Sequence, residues 1–161
     1  MKEHSLQIAL QIYDTTEELA AADATLLQHA KAALVKSYSP YSKFQVGAAV
    51  RLANGAILSG ANQENASYPM CLCAEQVTLA TAASQYPGVA IEAIAITVHS
   101  GLKDITQPAS PCGACRQVLC ETELRHHQPI RMILQGASGP VFILKKASDL
   151  MPLSFDGSFL E

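Results

Sequence analysis

The chain has 161 residues, 49% hydrophobic and 16% charged, a balance that suits one domain with a real core and excludes a disordered segment. A formal net charge of −3 and the lack of any basic run argue against a nucleic-acid groove. No apolar run reaches the roughly 18 residues of a membrane span, and no stretch reads as a signal peptide. Five cysteines, four of them in two close pairs, favour metal or redox chemistry in a reducing cytoplasm over a disulfide framework.

In chain order, residues 5–13 place Leu6, Ile8, Leu10 and Ile12 on one face, the period of a strand. Asp14-Thr15-Thr16-Glu17 reads as a capping box with Asp14 as cap. Residues 22–37 repeat at helical spacing through Leu26, Leu27, Ala30, Ala33 and Leu34, and should stop near Pro40. His29 lies in that helix and reads as a packing or surface residue. Residues 44–52 and 56–62 form two strands across Asn54-Gly55, a two-residue hairpin signal. Gly47 and its neighbouring alanines are small for a strand. They fit either close packing against a helix or a gap for a flat ligand.

Asn62-Gln63-Glu64-Asn65 leaves the second strand, either as plain loop or as a set of amide and carboxylate groups able to grip sugar hydroxyls. Residues 73–84 are helical in spacing, which sets Cys73 at a helix N-terminus. Ile91 to Val98 is a near-continuous apolar run, the mark of a central strand covered on both faces. Pro111-Cys112-Gly113-Ala114-Cys115 opens a second helix through about Glu123. His126-His127 should fall past its end as a cationic C-terminal position. Residues 130–134 and 141–144 are two more strands, followed by an apolar tail through Phe155.

Cys71-Leu72-Cys73-Ala74-Glu75 and Pro111-Cys112-Gly113-Ala114-Cys115 carry the chemistry. Cys73 and Cys112 are 39 residues apart (112 − 73), each opening a helix. Thiolates are soft donors that suit zinc. Three of them leave a fourth tetrahedral position open, and zinc lowers the pKa of a water held there. A carboxylate two residues from a ligand, Glu75, can then move protons. The rival is a closed, structural site of Cys71, Cys73, Cys112 and Cys115. It has no need of Glu75, so the open site of Cys73, Cys112 and Cys115 is the better reading. Cys71 and Cys120 are then expected to be small buried hydrophobes.

The motifs Tyr41-Ser42-x-Phe44-x-Val46-Gly47-Ala48-Ala49, Asn62-x-Glu64-Asn65-Ala66-Ser67-Tyr68-Pro69, Cys73-Ala74-Glu75 and Pro111-Cys112-Gly113-Ala114-Cys115-Arg116-Gln117-Val118-Leu119 run in this order. In them the chain resembles the homotetrameric zinc-dependent cytidine deaminases of the cytidine/deoxycytidylate deaminase superfamily, from about Tyr38 to Phe155. The resemblance implies an α/β three-layer fold, a five-stranded mixed sheet between helices, here with an extra N-terminal strand. One domain would fill residues 1–161, with 1–14 as the strand extension and 22–155 as the catalytic core. Cys73, Cys112 and Cys115 would hold one Zn²⁺ per chain and Glu75 would shuttle protons. Asn62 and Glu64 would hold the ribose, Phe44 would flank the pyrimidine and the backbone near Ala74 would orient its amide edge. Ala66 and Tyr68 would reach the nucleoside from an adjoining subunit, and Phe155 would close a neighbour's site.

The implied activity is hydrolytic deamination of cytidine and deoxycytidine in pyrimidine salvage, by a cytoplasmic homotetramer with shared active sites and a small nucleoside substrate. The rival activities are deamination of another small aminopyrimidine such as blasticidin S, which Asn62 and Glu64 disfavour, and a non-enzymatic zinc-binding module. One departure is Gln76, where the tetrameric enzymes usually carry an arginine facing the thiolates.

Overall fold

The computed structural model describes residues 1–160. Six strands form one mixed sheet in the order β1-β6-β5-β4-β2-β3. They are β1 (Gln11–Tyr13), β2 (Phe44–Leu52), β3 (Ile57–Ala61), β4 (Ile91–Ser100), β5 (Arg131–Gln135) and β6 (Val141–Leu144). All neighbours run antiparallel except β4 and β5. A parallel pair needs a crossover, and the helix α3 (Gly113–His126) lies in it. The remaining helices are α1 (Ala21–Ala33) and α2 (Ala74–Gln85). Five strands plus an N-terminal sixth is the expected architecture.

The two-residue period of the strands divides the core into two layers. On one face Ala49, Ala93, Ala95, Ile133, Val141 and Ile143 pack with Leu26, Leu27 and Ala30 of α1. On the other, Ala48, Val50, Ile94, Ile96, Met132 and Leu134 pack with Ala74 and Leu79 of α2 and Leu119 of α3. The run from Ile91 to Val98 is apolar throughout because β4 feeds both layers. Asp23, buried in the first turn of α1, accepts a hydrogen bond from Arg131 Nε at 2.9 Å and lies 4.0 Å from Arg51 Nη1. This ties the start of α1 to β5 and β2.

Gly47 points at α1. A Cβ there would meet the carbonyl oxygen of Ala30 at 2.1 Å. The small residues of β2 therefore serve helix packing, not a ligand gap. Gly47→Ala must push α1 off the sheet, an overpacking that costs about 3 kcal/mol. The expected result is a fall in Tm on the order of 10 °C for a chain of this length. An unchanged Tm with a raised KM would return the ligand-gap reading.

Four local expectations are corrected. Only Gln11–Tyr13 of the 5–13 stretch is a strand. β6 is short, and its pairing with β1 involves only Val141, Phe142 and Ile143. The cap is Thr15, not Asp14: the Thr15 N–H donates to Glu18 Oε1 at 3.1 Å. The hairpin turn between the paired Leu52 and Ala56 has three residues, not two. Leu52 N–H donates to Ala56 O, Gly55 N–H donates to Leu52 O, and Gly55 takes φ 84°, a turn closed by a left-handed residue. His126 lies inside the last turn of α3, and His127 caps it at φ 49°.

Candidate metal centre

Cys73 and Cys112 are the N-caps of α2 and α3, with ψ of 149° and 167° and no side-chain capping bond. Their thiols are thus free to meet something else, and the unpaired N–H groups of two helix starts point towards them. Cys115 lies one turn into α3, where the helix brings it back beside Cys112. Cys73 Sγ and Cys112 Sγ are 3.9 Å apart, and Cys112 Sγ and Cys115 Sγ are 3.5 Å apart. All three sulfurs lie within 4.8 Å of one another. A tetrahedral zinc with bonds of about 2.3 Å sets its sulfurs about 3.8 Å apart. The cluster therefore fits zinc by donor chemistry and by spacing.

The thiols share their protons unequally. Hydrogen bonding from Cys115 pushes Cys73 down to about 6. The Cys115 thiol is pushed up by that same bond and by burial. Glu75 is 5% exposed, and burial raises its carboxyl above the usual range. A buried carboxyl that takes up a proton readily suits proton transfer.

Glu75, Cys73 and Cys112 line a cleft of about 460 Å³ with Phe44, Val46, Asn62, Glu64, Leu72, Ile96, Val98 and Ser110. Its floor is the α2–α3 face of the sheet. The loop carrying Asn62 and Glu64 is fixed by backbone pairing on both sides. Gln63 and Leu72 exchange two bonds of 2.9 Å, while Tyr38 N–H donates to Asn62 O and Glu64 N–H donates to Tyr38 O. Asn62 Oδ1 accepts from Ser37 Oγ at 2.6 Å and Val46 N–H at 2.8 Å, and Nδ2 donates to Phe44 O at 2.9 Å. One Nδ2 hydrogen is left for a ligand. Glu64 accepts from the backbone N–H groups of Tyr41 (2.8 Å) and Ser42 (3.3 Å) and from Ser42 Oγ. The Ser42 hydroxyl, ahead of the backbone bonds, holds Glu64 below the usual carboxylate range. It is a carboxylate held ready for a donor.

Other expected site residues do not line this cleft, although Ala74 stands between Cys73 and Glu75, which do. Ala74 is buried in the first turn of α2. Tyr68 is 70% exposed and meets Tyr41 edge-to-face, ring centroids 6.1 Å apart. Ala66 is exposed. Phe155 is 57% exposed, its ring stacked on Phe159 and its carbonyl held by Gln117 Nε2 of α3. Gln76 faces the groove between α2 and α3, beside Gln117, rather than the cleft. Cys120 is buried as expected, but Cys71 is exposed. It follows the short helical turn at Tyr68–Met70 and lines the cleft, but outside the cluster of three sulfurs, and its own sulfur accepts the Asn65 N–H at 3.2 Å. Ser37 and Arg116 were not singled out by sequence. Arg116 donates to Pro111 O at 2.8 Å and to Leu150 O at 2.9 Å, fixing the approach to Cys112. Its place beside the second thiol pair was the available signal.

Comparison with known proteins meets this geometry. Residues 20–128 match the model of the cytidine and deoxycytidylate deaminase zinc-binding region. The cytidine deaminase of Halalkalibacterium halodurans is 44% identical over 96 residues, 60% of this chain and 68% of that protein. That of Mycobacterium tuberculosis is 36% identical over 106 residues, 64% and 75% of the two chains. The crystal structure of cytidine deaminase from Burkholderia pseudomallei superposes with a TM-score of 0.71 at 37% identity, covering 85% of this chain and all of that one. The chain belongs to the cytidine and deoxycytidylate deaminase family.

Proposed function

We propose that the protein hydrolyses cytidine and deoxycytidine to uridine and deoxyuridine with release of ammonia, a step of pyrimidine salvage. The observation that carries this reading is one cleft holding a zinc-compatible thiol cluster, a buried carboxyl that is not one of the three thiols, and the Asn62–Glu64 wall. Cys73, Cys112 and Cys115 would hold the metal. Zinc, when bound, acidifies a water and so supplies the nucleophile at neutral pH.

The chain's own groups do the rest. Phe44 flanks the pyrimidine, and Glu64 and the free Nδ2 hydrogen of Asn62 take the ribose hydroxyls. The backbone near Ala74 orients the amide edge of the base. Glu75 moves two protons in turn. The first passes from water to N3 as oxygen bonds to C4. The second passes from the new C4 hydroxyl to the amine as the C4–N bond breaks, leaving a C4 carbonyl and ammonia. Absorbance assays with metal-replete protein test this. Turnover of cytidine and deoxycytidine is expected, and turnover of blasticidin S alone, or of no aminopyrimidine, would overturn it.

The core of this activity is residues 22–155, with 1–14 as an extension. Five free thiols and a thiolate metal site support a cytoplasmic setting. No helix among the described residues is long and apolar enough to cross a membrane. A homotetramer with shared sites is supported by Phe155, Tyr68 and Ala66, which are exposed and stand outside the cleft of their own chain. Phe155→Ala subunits, dissociated and reassembled with inactive Glu75→Gln subunits, are then expected to exceed the weighted mean activity of the two variants. Some mixed sites would carry both native residues. No excess, with subunit exchange verified by mass, would place Phe155 within its own site or outside all of them.

A further inference from the structure

The deaminase reading leaves the amino-terminal arm unused. The family match begins at residue 20, and the arm precedes it. Residues 1–10 belong to no helix or strand and are exposed throughout. Leu6, Ile8, Leu10 and Ile12 are 56%, 49%, 43% and 59% exposed, an apolar row with nothing over it. β1 has β6 as its single neighbour, so its outer edge offers unpaired N–H and C=O groups. Free edges are normally blunted by charge, proline or a bulge. Ser5-Leu6-Gln7-Ile8-Ala9-Leu10-Gln11-Ile12-Tyr13 contains no charge, no proline and no glycine.

We propose that this arm is a dimerisation strand, which pairs antiparallel with the same arm of a second copy about a two-fold axis through Ala9. Self-complementarity selects the occupant. With Ala9 opposite Ala9, Leu6 faces Ile12 and Ile8 faces Leu10 on one side, while Gln7 faces Gln11 on the other. The ends then complement in charge. His4 comes opposite Asp14, the first residue after β1. Sliding the register by two residues either way sets Ile12 against His4 or Leu6 against Asp14. Only the register centred on Ala9 matches all four apolar residues with apolar partners. Pairs of this kind are the stabilising unit of an antiparallel ladder. The two six-stranded sheets would join edge to edge through β1, at the opposite end of the sheet from β3 and the cleft.

The test is cross-linking of the full zinc-loaded chain, read as mass on a denaturing gel and so independent of turnover. Residues facing each other across an antiparallel pair have Cβ atoms about 5 Å apart. Ala9→Cys, treated with a thiol cross-linker of that span, is expected to give covalent dimer as the major species, well above the wild-type background from native thiols. Gln7→Cys alone should stay at background, because its two copies lie about 14 Å apart in this register. Mixing Gln7→Cys with Gln11→Cys should restore the dimer. Adding Ile8→Lys to Ala9→Cys should abolish it. The arm lies outside both core layers, so these variants keep the fold. An arm that packs on its own chain, or that serves a different partner, gives no on-axis cross-link. Background levels for Ala9→Cys, or equal dimer from Gln7→Cys, would overturn the proposal.

Discussion

Glu75→Gln is expected to keep one zinc per chain and lose about 10⁴-fold or more in cytidine turnover. General acid–base groups each contribute about 10²–10⁴-fold, and this carboxyl serves both proton transfers. Its setting fits that load. It lies in the first turn of α2, two residues past Cys73, 5% exposed and on the cleft wall. Burial raises its affinity for a proton. Glutamine keeps the size of the side chain but cannot carry the proton. None of the three clustered sulfurs is altered, so metal content should hold. Zinc content by elemental analysis and turnover on the same sample decide the point. Activity within tenfold of wild type would remove Glu75 from proton transfer. Lost zinc would instead make its carboxylate part of the metal site.

Much of this site was legible because its signals are local. Cys73 and Cys112 precede helices, and a cysteine N-cap without a capping bond frees its sulfur for a metal. Both helix starts follow from periodicity and the residues before them. The strands β2 and β6 fall on their expected bounds for the same reason, since alternation and turn residues flank them. What sequence left open depends on distance in space. Gly47 could be a ligand gap or a packing contact until α1 is seen to lay the Ala30 carbonyl against it. Asn62 and Glu64 are chosen by residue type, yet they are held by Ser37, Tyr38 and Ser42, more than 20 residues away. The arm shows the limit of periodicity. Residues 5–13 alternate like a strand throughout, but a strand needs a partner, and β6 offers one only to Gln11–Tyr13.

The second large effect separates the two thiols of Cys71-Leu72-Cys73. Cys73→Ser is expected to lose its zinc, and Cys71→Ser to keep one per chain. Cys73 Sγ lies 3.9 Å from Cys112 Sγ, the spacing of two ligands on one ion, and it belongs to the cluster of three sulfurs. Structural thiolate sites bind zinc by about 10–16 kcal/mol. Losing one sulfur of three removes a large share of that and leaves two protein ligands, one short of the three that an open catalytic site uses. A serine hydroxyl does not replace it, because it stays protonated where a thiol is readily ionised. Cys71 lies on the other side of the argument. Its sulfur accepts from Asn65 N–H at 3.2 Å and contacts Asn65 O at 3.6 Å, closing the 65–71 loop. A serine can make both bonds, so Cys71→Ser should retain loop and metal alike. A four-thiolate site predicts loss of zinc from both variants. Elemental analysis after gel filtration in chelator-free buffer distinguishes the two. Zinc absent from Cys71→Ser would bring Cys71 into the shell and close the position that a substrate water needs.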